Sequence, residues 1–222
     1  DRFPWLVVAS PTEKWAEKVL AGPLGNGGTA ASGAGNPGSA RSAGRAAANS
    51  GPRALDDLWD IMKPILRLDE EDPVAAWREQ SERLKWRSAV LDELSVEWLH
   101  FEGPGTDLWV AIPERALWVG GPARTPEGTE FLPNLPTEEV FTTPDYRYTT
   151  GHVAVTRPVR VMNKVVEGAW FEFSDGKVVS SGARENAEML EHYLGMDAGA
   201  PYAGEIALVD AGSPIFQSGR VF

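Results

Sequence analysis

The sequence predicts an α/β fold plus a mainly β region: a strand-and-helix N-terminal part, then antiparallel β-structure with one helix. Three observations predict this fold class. The apolar run at 5–9 is followed directly by a helix start. Apolar residues then recur with a helical period up to about residue 94, and from Val96 onward they follow the period of strands separated by turns. We therefore place a domain boundary near residue 95, between regions 1–94 and 95–222.

The first region begins with a strand and continues in helices. The run at 5–9 is continuously apolar and rich in β-branched residues, which is typical of a buried strand. Ser10 and Pro11 then provide a capping hydroxyl and a first-turn proline for a helix. Further helices are predicted from Leu55, with Pro64 as its kink or end, and from Asp72 to Leu94. This order is typical of an α/β unit.

Residues 22–52 differ in composition from the rest of the chain. Gly, Ala, Ser and Asn dominate, no aromatic residue occurs, and Leu24 is the single large aliphatic residue. Such a segment buries too little apolar surface to offset its ordering entropy, so we predict a flexible surface insertion. A phosphate-binding glycine loop is the less favoured alternative, because neither a G-x-x-x-x-G-K-[ST] motif nor a helix-opening G-x-G-x-x-G motif occurs.

The second region is predicted to consist of antiparallel strands. Two apolar runs flank the turn residues at 103–106, and Asp175-Gly176 separates two more runs with the strongest hairpin signal in the chain. One helix is expected at 184–194, ended by Gly195. Ile206–Val209 reads as a last apolar strand.

Composition and charge exclude several classes of protein. The 222 residues include no cysteine, which rules out disulfides and thiolate metal sites. The net charge of −11 argues against a nucleic-acid surface. No apolar run is long enough to span a bilayer and no signal-peptide pattern occurs, so we expect a soluble, cytoplasmic protein. Because the chain opens with Asp1 and closes on an apolar run, we expect it to be a fragment of a longer protein.

Nucleophilic catalysis has little support in the sequence. No cysteine and no G-x-S-x-G motif occurs, and only His100, His152 and His192 could act as bases. Each is better interpreted as a histidine at the surface or at the edge of the core. We therefore assign no catalytic residue.

Three acids in apolar surroundings are better candidates, as metal ligands. Glu138 and Glu139 lie between a Leu-Pro and a Val-Phe step, so we expect at least one to point inward. Glu205 leads directly into the apolar strand at Ile206–Val209. A buried carboxylate must be paired, hydrogen-bonded or bound to a metal, and we expect the ligating acids to be buried. A solvated charge run and a structural salt bridge are the alternatives.

The segment NLPTEEVFTTP (134–144) resembles the hallmark of the thermophilic aminopeptidase family, the M29 metallopeptidases also called aminopeptidase T or S. The resemblance covers the chain except for 22–52. Further segments occur in the family's order: WLVVASPTEKWAEKV (5–19), DEEDPVAAW (69–77), GPGTDLWVAIP (103–113), WVGG (118–121), VVEGAWFEFSDGKVV (165–179) and GEIALV (204–209).

The resemblance implies a function and a set of ligands. Members of the family are exopeptidases that remove the N-terminal residue of peptides by metal-assisted hydrolysis, using two divalent ions (cobalt, zinc or magnesium). They are mostly cytoplasmic dimers. By resemblance, Glu139 and Glu205 occupy metal-ligand positions, and Glu138 supports a ligand instead of binding a metal. The region 95–222 would then be the first part of the metal-binding domain.

One departure from the family pattern bears on activity. The family's later D-E-N-A-x-x-H segment, with a further His, an Asp and a Tyr, is not among these 222 residues. Two glutamates cannot hold two metals, so we expect this chain alone to be inactive. The alternative is a non-catalytic binding or scaffold module, in which the nine Trp residues would form aromatic platforms for a ligand. Packing in the core is the better explanation of these Trp residues.

Overall fold

A computed structural model describes residues 3–22 and 52–222. The predicted insertion at 22–52 lies outside the described residues, except for its two end positions. The described chain mixes helices with antiparallel sheets, as the sequence predicted. No helix in these two ranges has both the length and the hydropathy needed to cross a bilayer.

The described residues form five helices, of which the third is the longest with 21 residues. They are α1 (Glu13–Ala21), α2 (Pro52–Ile65), α3 (Pro73–Glu93), α4 (Glu188–Leu194) and α5 (Pro214–Gln217).

The strands form one larger sheet, one smaller sheet and three strand pairs. They are β1 (Val7–Val8), β2 (Trp98–Gly103), β3 (Thr106–Ala111), β4 (Val119–Gly120), β5 (Ala123–Arg124), β6 (Glu130–Phe131), β7 (Asn134–Leu135), β8 (Glu139–Thr142), β9 (Thr149–Ala154), β10 (Val159–Val161), β11 (Lys164–Val166), β12 (Trp170–Ser174), β13 (Lys177–Gly182) and β14 (Ile206–Val209). The five-stranded sheet has the order β13-β12-β9-β3-β2, and the three-stranded sheet has the order β14-β8-β4. Both are antiparallel, and β1 pairs with β7 in parallel.

Two compact units interleave along the chain. The first comprises the described residues of Asp1–Arg78 together with Ala123–Thr137 and Ala211–Phe222. Its core lies between α1 and α2, around Leu58, Met62 and Ile65. The domain boundary near residue 95 stays a prediction.

The second unit comprises Glu79–Pro122 and Glu138–Asp210, and it contains both larger sheets. Its core has three parts. Leu84 of α3 packs with Trp118 and Val140. Leu108 and Val110 of β3 form a second cluster with Ile112, which directly follows that strand. A third cluster of Val166, Ala169 and Leu190 packs α4 against the strands near it.

The start of the chain differs from the prediction in two ways. The predicted strand is short, and Val7 and Val8 are 60% and 52% exposed, so the expectation of a buried strand is wrong. Its one described neighbour is β7, which leaves most of its surface open. The N-cap of α1 is Thr12 and not Ser10, because the Thr12 hydroxyl accepts a hydrogen bond of 3.3 Å from the backbone N–H of Trp15.

Several turn and cap predictions are confirmed. The Asp72 carboxylate accepts hydrogen bonds of 3.0 Å from the backbone N–H groups of Val74 and Ala75, and so caps the N-terminus of α3. Asp175 and Gly176 both have positive φ, 50° and 81°, and they join β12 to β13. Helix α4 is shorter than predicted, since it begins at Glu188.

Candidate metal centre

The two predicted ligands lie on one face of one strand pair. Strands β8 and β14 are antiparallel, with Glu139 opposite Val209 and Thr142 opposite Ile206. Residues directly opposite each other share a face, and alternate residues along a strand return to that face. Glu205 immediately precedes β14, so the alternation that starts at Val209 places it on the face of Glu139. The pair Phe141 and Ala207 lies between the two acids.

Both acids are exposed, which corrects the expectation that the ligating acids are buried. The reason is the position of their shared face, which is the outer one. On the inner face Val140 and Thr142 are buried instead. The exposed face also carries Val119 and Val209, each about half exposed.

The electrostatics of the site couple the two acids. Partial desolvation by the surrounding protein raises the pKa of the Glu139 carboxyl above its ordinary value of 4.5, and the negative charge of Glu205 raises it further. Two like charges on one face disfavour joint ionisation, and a cation held between them would relieve that repulsion.

The third acid, Glu138, points inward as expected of one member of the Glu-Glu pair. Its side chain is 6% exposed, and its Oε2 accepts a hydrogen bond of 3.0 Å from Nε2 of Gln80, which is 2% exposed. Gln80 belongs to α3, 58 residues earlier in the chain. A buried carboxylate with a hydrogen-bond donor is stable where an isolated one would not be.

Sequence reasoning missed Gln80, although a signal for it exists. Trp77, Gln80 and Leu84 follow one another at intervals of three and four, which places all three on the same face of α3. A glutamine on the apolar face of a helix needs a buried partner. The sequence does not show that this partner is Glu138.

The Gly-Gly step of the WVGG segment brings β4 close to β8. A Cβ atom on Gly120 would lie 2.7 Å from Cγ1 of Val140 and 3.1 Å from the carbonyl oxygen of Glu139. The first distance is shorter than a Cβ contact tolerates and the second is a tight contact, so the close approach of these strands favours glycine. Just before β4, the carbonyl of Leu117 accepts a hydrogen bond of 3.0 Å from the hydroxyl of Thr142 in β8. These contacts hold the backbone that carries Glu139.

The histidines do not join the two acids. His100 contacts Asp107 at 2.9 Å and stacks on Trp109, both in the five-stranded sheet. His152 stacks on Trp170 in the same sheet. Throughout residues 3–22 and 52–222, no group of three or more His, Cys, Asp or Glu side chains is arranged to hold a metal. The described residues therefore offer two carboxylates and not a complete coordination shell.

Comparisons with known proteins give the same assignment as the hallmark segment. A model of the family described as thermophilic metalloprotease (M29) matches residues 39–222. Aminopeptidase T of Thermus aquaticus is 44% identical over 169 residues, 76% of this chain and 41% of that protein. Aminopeptidase PepS of Streptococcus thermophilus is 34% identical over 222 residues, all of this chain and 48% of that protein.

A solved structure, wild-type AmpT from Thermus thermophilus, has the same fold. Its TM-score is 0.71 at 39% identity, over 76% of this chain and 41% of that one. The chain thus spans less than half the length of these relatives. The family model covers most of the chain, and the relatives match it at 34% identity and above. The chain belongs to the thermophilic metalloprotease (M29) family.

Proposed function

We propose that this chain is part of a metal-dependent aminopeptidase, and that Glu139 and Glu205 are two of its metal ligands. One observation carries the proposal: two acids 66 positions apart in sequence lie on one face of the β8–β14 pair and are electrostatically coupled. The relatives are named aminopeptidases, which supports peptides as substrates.

The chemistry of the two acids fits a hard divalent cation. Carboxylate oxygens are ligands that such cations accept, and the mutual repulsion of Glu139 and Glu205 is lowered when a cation lies between them. When bound, the metal supplies Lewis-acid activation of a water and of the scissile carbonyl. The chain's own contribution is to hold the two carboxylates on one face, beside the apolar side chains of Val119 and Phe141.

The number of ligands limits what the described residues do alone. A two-metal site takes about five or six protein ligands, usually including imidazoles. The described residues provide two, so we propose that this chain alone is inactive and that the longer protein is the enzyme. Two ions of cobalt, zinc or magnesium, a homodimer and a cytoplasmic location are proposed on the family resemblance.

Substitution of each ligand in the longer protein tests the proposal. Glu205→Gln and Glu139→Gln keep the size of the side chain and remove its charge. We expect the metal content and the release of N-terminal residues from short peptides to fall together. The loss of metal affinity and activity should exceed the decrease of about 10- to 100-fold that is typical when a residue that only supports a ligand is replaced.

Glu114→Gln, at an exposed acid outside the β8–β14 pair, is the matched control and should change neither quantity. Metal content is measured by elemental analysis and activity by amino-acid release. Loss of activity with both metals still bound would contradict the ligand assignment. Absence of any metal from the longer protein would favour the binding-module alternative instead.

A further inference from the structure

Strand β1 has an open edge. The backbone N–H groups of Val7 and Ala9 donate to carbonyl groups of the β7 segment, at 2.8 and 3.4 Å. Successive residues of a strand direct their N–H and C=O groups to opposite edges, so those of Leu6 and Val8 point away from β7. No other strand of the described chain pairs with β1. This edge therefore presents the unpaired backbone groups to which a further strand binds.

The two faces of β1 are open as well. The side chains of Leu6, Val7 and Val8 are apolar, and each is at least half exposed. Successive side chains of a strand point to opposite faces, so exposure of all three means that neither face is covered. A contiguous apolar surface of this kind marks a place where another element of structure packs.

The sequence of this segment is typical of an internal strand and not of a free edge. Residues 5–9 contain no charged residue and no proline, which are the residues that protect exposed edges from pairing. Strand β1 also pairs with β7 in parallel, and parallel sheets occur almost only with both faces covered. Each strand of the pair has two residues, which is too little for a stable sheet. The β1–β7 pair therefore requires at least one more strand.

The longer protein is a better source of that strand than a second copy of the chain. The chain spans 41% and 48% of two aminopeptidase relatives, so the longer protein has ample further sequence. A stable interface between separate chains takes about 1,000 Å² or more, which a two-residue strand and its neighbours do not offer. A segment of the same chain is present at a high effective concentration and needs less contact area to bind.

We propose that β1 is the docking edge for a strand of the longer protein that lies outside residues 1–222. This strand pairs with the backbone of Leu6 and Val8, and the segments that flank it cover the apolar side chains of β1. The proposal concerns the first compact unit. It does not depend on a metal at Glu139 and Glu205.

Amide hydrogen exchange in β1 tests the proposal directly, when the 222-residue chain is compared with the longer protein. In the 222-residue chain the amides of Leu6 and Val8 should exchange faster than that of Val7, which is bonded to the β7 segment. In the longer protein the exchange of Leu6 and Val8 should be at least about tenfold slower, and the difference from Val7 should disappear. Fast exchange of Leu6 and Val8 in the longer protein would overturn the proposal.

The concentration dependence of the same exchange rates identifies the source of the strand. Pairing within one chain predicts rates for Leu6 and Val8 that are independent of protein concentration in the longer protein. If these two amides instead become protected in the 222-residue chain as its concentration rises, and gain nothing in the longer protein, a second copy covers β1 and the proposal is wrong.

A charged residue in β1 provides a second test, with Val74→Lys as the matched control for Val8→Lys. Val8 and Val74 are 52% and 59% exposed, and Val74 lies in the first turn of α3. In the 222-residue chain both variants should change the unfolding equilibrium constant by no more than about twofold, because the lysine ammonium stays in water.

In the longer protein only Val8→Lys should be costly. The docked strand and its flanking segments would enclose the charge, so we expect the unfolding equilibrium constant to rise by about tenfold or more. Val74→Lys should again change it by no more than about twofold. Urea unfolding of both proteins measures these constants. Equal effects of the two substitutions in the longer protein would contradict the docking of a strand on β1.

Discussion

At the scale of single residues, adjacent glutamates have opposite surroundings. Glu138 is buried and accepts from Gln80, whereas Glu139 is exposed and coupled to Glu205. The alternation of a strand produces this division, because neighbours point to opposite faces. A folded-state pKa above the unfolded one means that the folded state binds the Glu139 proton more tightly. The contribution of this group to stability therefore falls as pH rises from 4.5 through the raised pKa.

Removing the Glu205 charge should partly reverse the shift of Glu139. We expect Glu205→Gln to lower the pKa of Glu139, because the second cause of its elevation disappears. The unfolding free energy at neutral pH should rise by a few tenths of a kcal/mol to about 1 kcal/mol, as for exposed charge pairs. NMR titration of the Glu139 carboxyl carbon and urea unfolding measure these two quantities. If the pKa of Glu139 is the same in Glu205→Gln, in Glu114→Gln and in the unsubstituted chain, Glu139 and Glu205 are not coupled.

At the scale of elements, the sequence predicted what local chemistry determines. The Asp72 cap, the Asp175-Gly176 hairpin and the strand at Ile206–Val209 are all confirmed, because each depends on residues close in sequence. The prediction of a buried strand at 5–9 is wrong, because burial depends on neighbouring elements that the apolar pattern of the segment does not specify. The placement of Glu139 and Glu205 on one face depends on the pairing register of β8 and β14. The partner of Glu138 is Gln80, which belongs to a helix and lies 58 residues earlier in the chain. Neither is contained in local periodicity.

The hairpin between β12 and β13 should depend strongly on Gly176. A Cβ atom there would lie 1.7 Å from the carbonyl oxygen of Tyr146, and φ is 81°. We expect Gly176→Ala to cost about 2–4 kcal/mol of unfolding free energy, from the clash and the backbone strain together.

Gly128→Ala separates these two causes. Gly128 has φ of 88°, but nothing lies within 4 Å of its added Cβ, so this variant should cost only about 1 kcal/mol. Urea unfolding of both variants measures the difference. Equal costs would show that the approach of Tyr146 is not what requires glycine at 176.

At the scale of the whole molecule, one pair of strands carries the functional claim. The chain belongs to the M29 family and spans less than half the length of relatives such as aminopeptidase T. Within the described residues the site has two carboxylates and no third ligand of the His, Cys, Asp or Glu type grouped with them. The proposed metal site is therefore a partial one, formed where β8 and β14 pair.

Calorimetric titration of the 222-residue chain with Co²⁺ tests this claim most directly. Two carboxylates on one face should give one weak, saturable site with a Kd of about 0.1–1 mM, in the range of weak carboxylate sites. The double variant Glu139→Gln and Glu205→Gln should bind at least about tenfold more weakly, while Glu114→Gln should bind like the unsubstituted chain. Equal Co²⁺ affinity in the double variant and the unsubstituted chain would contradict the assignment of the metal to these two acids.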